Sequence, residues 1–307
     1  MADDETQLPL FSGVSRVQRR LIDSSVQIEA DDPDSINFQH TVFCQTGLPY
    51  RNPGKASREW ERLNGRAHLK VLAGEAMDPE QSRLVQLGLP FGPKPRLILI
   101  HLNTEAVRTG SPDIEVEDSM TAFVRRLQRR APTGPELKVF KTQLASLAAA
   151  TVRLGLMIDQ RAVTINTQIV HAFDLWFPKD SKQRVLWPST VRLSLDYFES
   201  LAKHAVPLDE RAVASLAHSS MALDIYCWLA QRLHRVDPRR PQLIPWVSLK
   251  EQFGWHYGRM DNFKRAMRYT LDVVLTQYRS ARLELDDRGL TIRNSPPPIS
   301  ERVRLIS

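Results

Sequence analysis

In the C-terminal third of the chain, apolar residues repeat first at helical spacing and then at strand spacing. Ile225, Leu229, Leu233 and Val236 mark a helix over residues 222–236, which Pro238 and Pro241 forbid from continuing. Over 246–254, Ser248 and Glu251 have capping-box spacing and Gly254 suits a helix stop. From 259 to 278, Phe263, Met267, Leu271, Val274 and Tyr278 form one apolar stripe, so Asp261, Asn262, Arg265, Arg268 and Tyr269 are predicted to face outward. Period-two Leu283, Leu285, Leu290 and Ile292 predict strands at 281–285 and 290–293, with Asp286-Asp287-Arg288-Gly289 as the turn between them. Helix, short helix, turn, polar-faced helix and hairpin, in that order, predict a winged helix, a unit that lays a helix in the DNA major groove.

The same order recurs earlier without detectable sequence identity. Residues 93–107 are apolar nearly all round, as a buried central helix would be, with Pro95 near the start and a turn at 109–113. Asp113, Glu115 and Glu117 alternate with Ile114 and Val116, predicting a short strand. Asp118 or Ser119 then caps a helix lined by Met120, Phe123, Val124 and Leu127. Thr133 and Glu136 open another, with Leu137, Phe140, Leu144 and Leu147 inward and Lys138, Thr142 and Ser146 outward. Two β-rich runs, 151–158 and 162–170, form a hairpin around 159–161. Strands at 173–175 and 190–195, a basic loop at 178–184, a short helix at 194–205 and a lead-in helix at 210–218 complete the reading.

Residues 1–85 are less regular. Val14, Val17, Leu21 and Ile22 predict an amphipathic helix, 30–35 an acidic linker, 47–54 a loop, 58–63 a helix, and 68–72 with 83–85 a hairpin. The predicted fold is α+β and helix-rich: tandem winged-helix domains with an N-terminal arm. The arm (1–87) is expected to pack on the first domain (88–205, dimerisation and DNA clamp). The second domain (206–299) is the main DNA reader, and 300–307 a tail.

Composition narrows the function. Forty-two Lys and Arg against 35 Asp and Glu give a net charge of +7 over 307 residues, which suits a polyanionic partner or merely a basic cytosolic protein. Cys44 and Cys227 are the only cysteines, so no disulfide framework or zinc-finger ligand set is available. The N-terminus lacks the apolar core of a signal peptide, and no run approaches the ~20 apolar residues of a membrane span. A cytoplasmic location is expected. The eight histidines offer no His-apolar-His metal pair of the kind used by DNA-nicking initiators, and each reads as a core or surface residue. Gly54-Lys55 superficially suggests a phosphate loop, but Pro49 stands where a glycine is needed and Ala56 where Ser or Thr is needed. The expectation is a non-enzyme with no metal and no cofactor.

The candidate base readers are Asn262, Arg265 and Arg268, within about three turns of the predicted helix start, since Arg pairs bidentately with guanine and Asn with adenine. Arg259 and Tyr269 flank them, and Lys264, beside the buried stripe, is assigned to phosphate. Arg282 and Arg288 on the hairpin would reach flanking phosphates. Lys138, Lys141 and Thr142 are the candidates in the first unit, with Val139 offering apolar surface for self-association. For the surface arginines the alternative reading is a solvated helix face. Trp255 and Tyr257 could stack on bases, but core packing is the favoured reading.

Several passages together resemble the plasmid-encoded RepA replication initiators. They are Gly88-Leu-Pro-Phe-Gly-Pro-Lys-Pro-Arg96 with its following helix to Arg108, Ser119-Met-Thr-Ala-Phe-Val-Arg-Arg-Leu127, Ala205-Val-Pro-Leu-Asp209, Ala222-Leu-Asp-Ile-Tyr-Cys-Trp-Leu-Ala230, Gln252-Phe-Gly254 and Asn262-Phe-Lys-Arg265. The loop Gly47-Leu-Pro-Tyr-Arg-Asn-Pro53 is similar to that family's N-terminal region. The likeness spans roughly residues 40–299. It implies binding to repeated sites in double-stranded DNA at a plasmid origin, duplex opening, recruitment of host replication proteins such as the replicative helicase, frequent autorepression and possible homodimers. The alternative is a winged-helix transcriptional repressor without initiator activity, which needs the same DNA-reading helix.

Overall fold

A computed structural model describes residues 15–78, 82–116, 119–158, 161–172 and 190–300. The first elements are α1 (Arg16–Ala30), β1 (Ile36–His40), α2 (Thr41–Gln45), β2 (Glu59–Asn64), β3 (Ala67–Leu72), β4 (Glu75–Asp78) and β5 (Arg83–Gln86). Next come α3 (Pro93–Thr109), β6 (Asp113–Glu115), α4 (Met120–Gln128), α5 (Gly134–Ala149), β7 (Thr151–Ile158), β8 (Arg161–Gln168), β9 (Val170–Ala172), β10 (Thr190–Leu193) and α6 (Leu195–His204). The chain continues through β11 (Ala205–Asp209), α7 (Glu210–Leu216), α8 (Ser220–Arg232), β12 (Gln242–Pro245), α9 (Trp246–Phe253), α10 (Met260–Gln277), β13 (Leu283–Leu285) and β14 (Gly289–Ile292). The fold mixes helix and sheet. Among the described residues no helix is long and apolar enough to cross a membrane.

The apolar stripes predicted for the central helices are buried. On α1 only Leu21 of the predicted stripe is buried, with Val17 and Ile22 exposed, and Ser146 of α5, expected outward, is buried. Along α3 every residue from Pro95 to Ala106 is buried, and α8 is buried from Ser220 to Gln231. These two helices pack on each other and anchor one continuous apolar cluster that includes Phe123, Phe140, Tyr226, Trp228 and Phe263. Each fully buried large side chain contributes roughly 1.5–3 kcal/mol. Ser119 caps α4 through the Ala122 N–H, and the capping box of Thr133 and Glu136 opens α5. Asp118, the other candidate cap, the hairpin tip at 159–160, and the readings of 173–175 and 178–184 lie outside the described residues, as does Val14.

Four expectations are corrected. Residues 58–63 are not a helix: β2 pairs with β3 from Glu59↔Leu72 to Asn64↔Ala67. Trp60 points inward between outward Glu59 and Glu61, a period of two, and Gly65 turns the chain with φ +56°. The predicted partnership of 68–72 with 83–85 is replaced by two others, β3 with β7 and β4 with β5. Ser248 is not an N-cap, because α9 begins two residues earlier at Trp246 behind an extended Pro245. The residues before it form an unpredicted strand, β12, whose pattern was hidden by Pro241 just before it and Pro245 at its end.

The sheets tie the chain together. The order β12-β14-β13 joins the strand before α9 to the hairpin after α10. The hairpin β7–β8 instead extends β2 and β3, while β6 pairs with β10 and β10 with β9. The N-terminal elements pair with partners spread along the chain: β3 joins β7, β1 pairs with β11, and α1 lies on α7 and α10.

Candidate nucleic-acid interface

The amphipathic pattern of α10 decides its orientation. Phe263, Met267, Thr270, Leu271 and Val274 are buried, which turns Asn262, Arg265, Arg268 and Tyr269 to solvent, Tyr269 with 69% of its surface exposed. Gly254 makes the preceding turn possible by closeness rather than by an unusual backbone. A Cβ there would lie 2.4 Å from the Phe263 ring, so the α9–α10 turn closes directly onto the aromatic ring that fixes α10.

Side chains on this face are preset by local contacts. Arg265 Nη2 donates to Asn262 Oδ1 at 3.0 Å, and Arg259 Nη2 to Asp261 Oδ2 at 3.2 Å. Lys264 is half-buried with Nζ 5.1 Å from the Trp246 ring centroid, and Arg268 Cζ lies 5.5 Å from the same ring. The indole N–H of Trp246 donates to the Asp286 carbonyl at 3.0 Å, and its main-chain N–H to the Arg288 carbonyl at 3.2 Å. One buried tryptophan therefore joins the start of α9, the hairpin turn and two cations of α10. Sequence reasoning missed Trp246; Lys264 and Arg268, one helical turn apart, gave the only signal.

On the hairpin, Arg288 is exposed and paired with Asp286, at 3.0 Å from Nε and 2.9 Å from Nη2 to Oδ2. Hydrogen bonds from Arg288 and from the Arg288 and Gly289 main chain hold the Asp286 carboxyl below its ordinary range. Arg282 is exposed at the foot of β13, its main-chain N–H bonded to Ser295 Oγ at 2.9 Å. The first-unit candidates sit apart: α5 packs on α3 and α4, whereas α10 packs on α1, α8 and α9. There Lys138, Val139 and Thr142 are exposed, with Thr142 Oγ1 donating to the Lys138 carbonyl at 3.1 Å. Lys141 is half-buried, and burial lowers its ammonium pKa.

Trp255 and Tyr257 are half-buried and pack against the core. Trp255 meets Trp60 edge-on at 4.7 Å, with Arg62 lying over both rings, and Tyr257 lies 5.9 Å from Phe263. The arm strand β2 thus buttresses the turn before α10.

Beneath these surfaces α3 and α8 are locked by a buried ion pair. Arg96 Nε donates to Asp224 Oδ1 at 2.6 Å and Nη2 to Oδ2 at 2.8 Å. The guanidinium also donates to the carbonyls of Leu48, Pro49 and Gly92 at 2.6, 3.3 and 2.7 Å. Gly47, in the left-handed region at φ +88°, passes so close that a Cβ would sit 2.4 Å from Asp224 Oδ2. Burial pushes the Asp224 carboxyl above its usual range even with Arg96 beside it. Three passages that carried the family resemblance, 47–53, 88–108 and 222–230, converge on this one contact.

Residues 89–247 match the family model described as plasmid-encoded RepA protein. The chain belongs to this family. Membership supports the reading of this RepA protein as a plasmid replication initiator. The matched stretch contains Arg96 and Asp224 and ends before α10. No curated protein sequence matches the chain. Among solved structures, the selenomethionine form of domains 2 and 3 of RctB aligns with a TM-score of 0.49 at 9% identity, covering 83% of this chain and 98% of that one. A second RctB domain 2–3 structure aligns with a TM-score of 0.40 at 10% identity, covering 84% and 83%. Likenesses this distant say nothing about function.

Proposed function

We propose that this RepA protein is a sequence-specific double-stranded DNA-binding initiator. It binds repeated sites at a plasmid origin, promotes duplex opening, recruits host replication proteins such as the replicative helicase, and represses its own promoter. The observation that carries the reading is the outward face of α10, where Asn262, Arg265 and Arg268 project opposite a buried stripe. In this reading residues 206–299 are a winged helix: α10 enters the major groove, and β13 and β14 form the wing that sets Arg282 and Arg288 against flanking phosphates. Arg259, Lys264 and Tyr269 border the groove. Residues 88–205 form the companion unit, which clamps DNA through Lys138, Lys141 and Thr142 and self-associates, and 1–87 form the arm. Opening draws on binding free energy alone, because bending a site costs on the order of 1–6 kcal/mol, within reach of several phosphate contacts.

The test is a triple substitution, Asn262→Ala with Arg265→Ala and Arg268→Ala, titrated against an origin repeat and a random duplex of equal length. Each lost bidentate base contact should remove about 1–3 kcal/mol of discrimination. An unchanged ratio of site to random affinity would sink the assignment of α10.

A further inference from the structure

We propose that the groove between α3, α4 and α7 is a binding site for a nucleotide-sized organic anion: a planar apolar body carrying phosphate. The groove encloses about 640 Å³, within the ~300–1,000 Å³ typical of small-molecule sites. It lies where α3 and α4 of the first unit face α7, the lead-in to the second. Its floor is aliphatic, from Leu97, Ile100, Leu127 and Val213, a surface that a purine face can cover.

Two features of the wall ask for a ligand. His101 is 8% exposed, and its Nε2 has no hydrogen-bond partner among the described residues. Burial lowers its pKa to about 4, so the imidazole is neutral near pH 7 and its open nitrogen can accept from or donate to a base edge. Leaving such an atom buried and unpaired is costly, and a ligand group that paired with it would recover that cost. The rim supplies charge: Arg125, Arg126 and Arg129 line the groove beside Glu105 and Glu210, three guanidinium groups against two carboxylates. Glu105 already accepts from Arg108 and, at 2.9 Å, from Arg126, which mutes its repulsion of an anion. Among the described residues, Arg129 is held only by an exposed 3.3 Å pair with Glu210. Arg125 is exposed and makes no hydrogen bond or ion pair among the described residues. A phosphate at the rim would engage Arg125 and Arg129 while the body covers the floor and reaches His101. Such a ligand would touch both units and favour the orientation that holds it.

The test is calorimetric titration of the full chain with ADP, adenosine and inorganic phosphate. Wild type should bind ADP saturably and at least tenfold more tightly than phosphate or adenosine. R125Q with R129Q, both exposed, should weaken ADP at least tenfold and leave the unliganded melting temperature in place. Ala122→Phe, which fills the groove from α4, should abolish binding of ADP and adenosine alike. Absence of saturable ADP binding to wild type overturns the proposal. So does ADP binding that survives both sets of substitutions, or that disappears with R265A and R268A instead, since it would then reside on α10.

Discussion

Replacing Asp224 by Asn removes one charge from the buried contact between α3 and α8 and leaves nearly everything else in place. The Arg96 side chain is 4% exposed and that of Asp224 11%, so the guanidinium left behind has no water to turn to. It would keep its bonds to the carbonyls of Leu48, Pro49 and Gly92, yet its charge would stand uncompensated at low dielectric. Breaking such a pair by removing one partner costs about 3–5 kcal/mol, a large share of the roughly 5–15 kcal/mol that holds a domain folded. Arg96→Met acts differently. Asp224, already pushed above its ordinary range by burial, can take up a proton and shed its charge, but the three carbonyls lose their donor at about 1–3 kcal/mol for each one left unsatisfied. The double variant Arg96→Met with Asp224→Asn has no buried charge at all. It should therefore be less destabilised than the sum of the single variants by about 2 kcal/mol or more, a coupling of the size expected between groups in direct contact. Urea unfolding of the three variants and wild type at pH 7.5 measures each term. A cost below about 1 kcal/mol for Asp224→Asn, or strict additivity in the double variant, refutes the view that charge compensation holds α3 against α8.

Three further outcomes follow from the structure and the proposed function. Arg288→Ala should weaken site and random duplex about equally and lower the salt slope of binding by about one counterion; a loss confined to the specific site would refute its phosphate role. Acidification should destabilise the fold, because burial lowers the pKa of His40 to about 3 and of His101 to about 4 from an unfolded value of 6.5. The unfolded chain binds the extra protons in this window, so stability is fully present above pH 6.5 and falls toward pH 4 by up to about 1.4 kcal/mol per pH unit for each group; unfolding curves that coincide at pH 7.5 and 5.5 would contradict this. Purified protein should neither nick supercoiled origin plasmid nor hydrolyse ATP, yet make an adjacent AT-rich segment reactive to a single-strand probe; a covalent protein–DNA adduct would overturn the non-enzymatic reading.

The elements legible in the sequence are those whose environment is periodic. Helix α10 declares itself because one side meets the core and the other meets water. Helix α3 declares itself by being apolar all round, and the structure buries it all round. Strand β12 was hidden because it is four residues long, is bounded by prolines, and takes its identity from a partner about 50 residues away, with Gln242 opposite Ile292. Strand β2 was hidden for a related reason: Glu59 and Glu61 read as helix formers until Lys70 is placed across the sheet from them, 2.7 Å from Glu59. The candidate site divides in the same way. Its exposed side chains follow from helical spacing, but Trp246, which carries Lys264 and Arg268, is visible only once α9, α10 and the hairpin have met.

The ion pair between Arg96 and Asp224 lies within the stretch that matches the family model, whereas the side chains proposed to read bases lie beyond it. Gly47, Arg96 and Asp224 each belong to a passage that resembles the family, and none of them can touch DNA, since they are packed against one another in the interior. A buried charged contact tolerates few residue types: glycine where a Cβ would strike the carboxylate, arginine where five hydrogen bonds converge, and an acid to balance it. The outward face of α10 is under no such internal constraint. Asn262, Arg265 and Arg268 are exposed and could be exchanged for other polar residues without disturbing the core, so under the proposed function what they are is set by what they bind. The family match spans Arg96 and Asp224 and ends at residue 247, before α10 begins. The matched stretch thus holds the contact that joins α3 to α8, and under the proposed function the bases recognised are to be sought on α10.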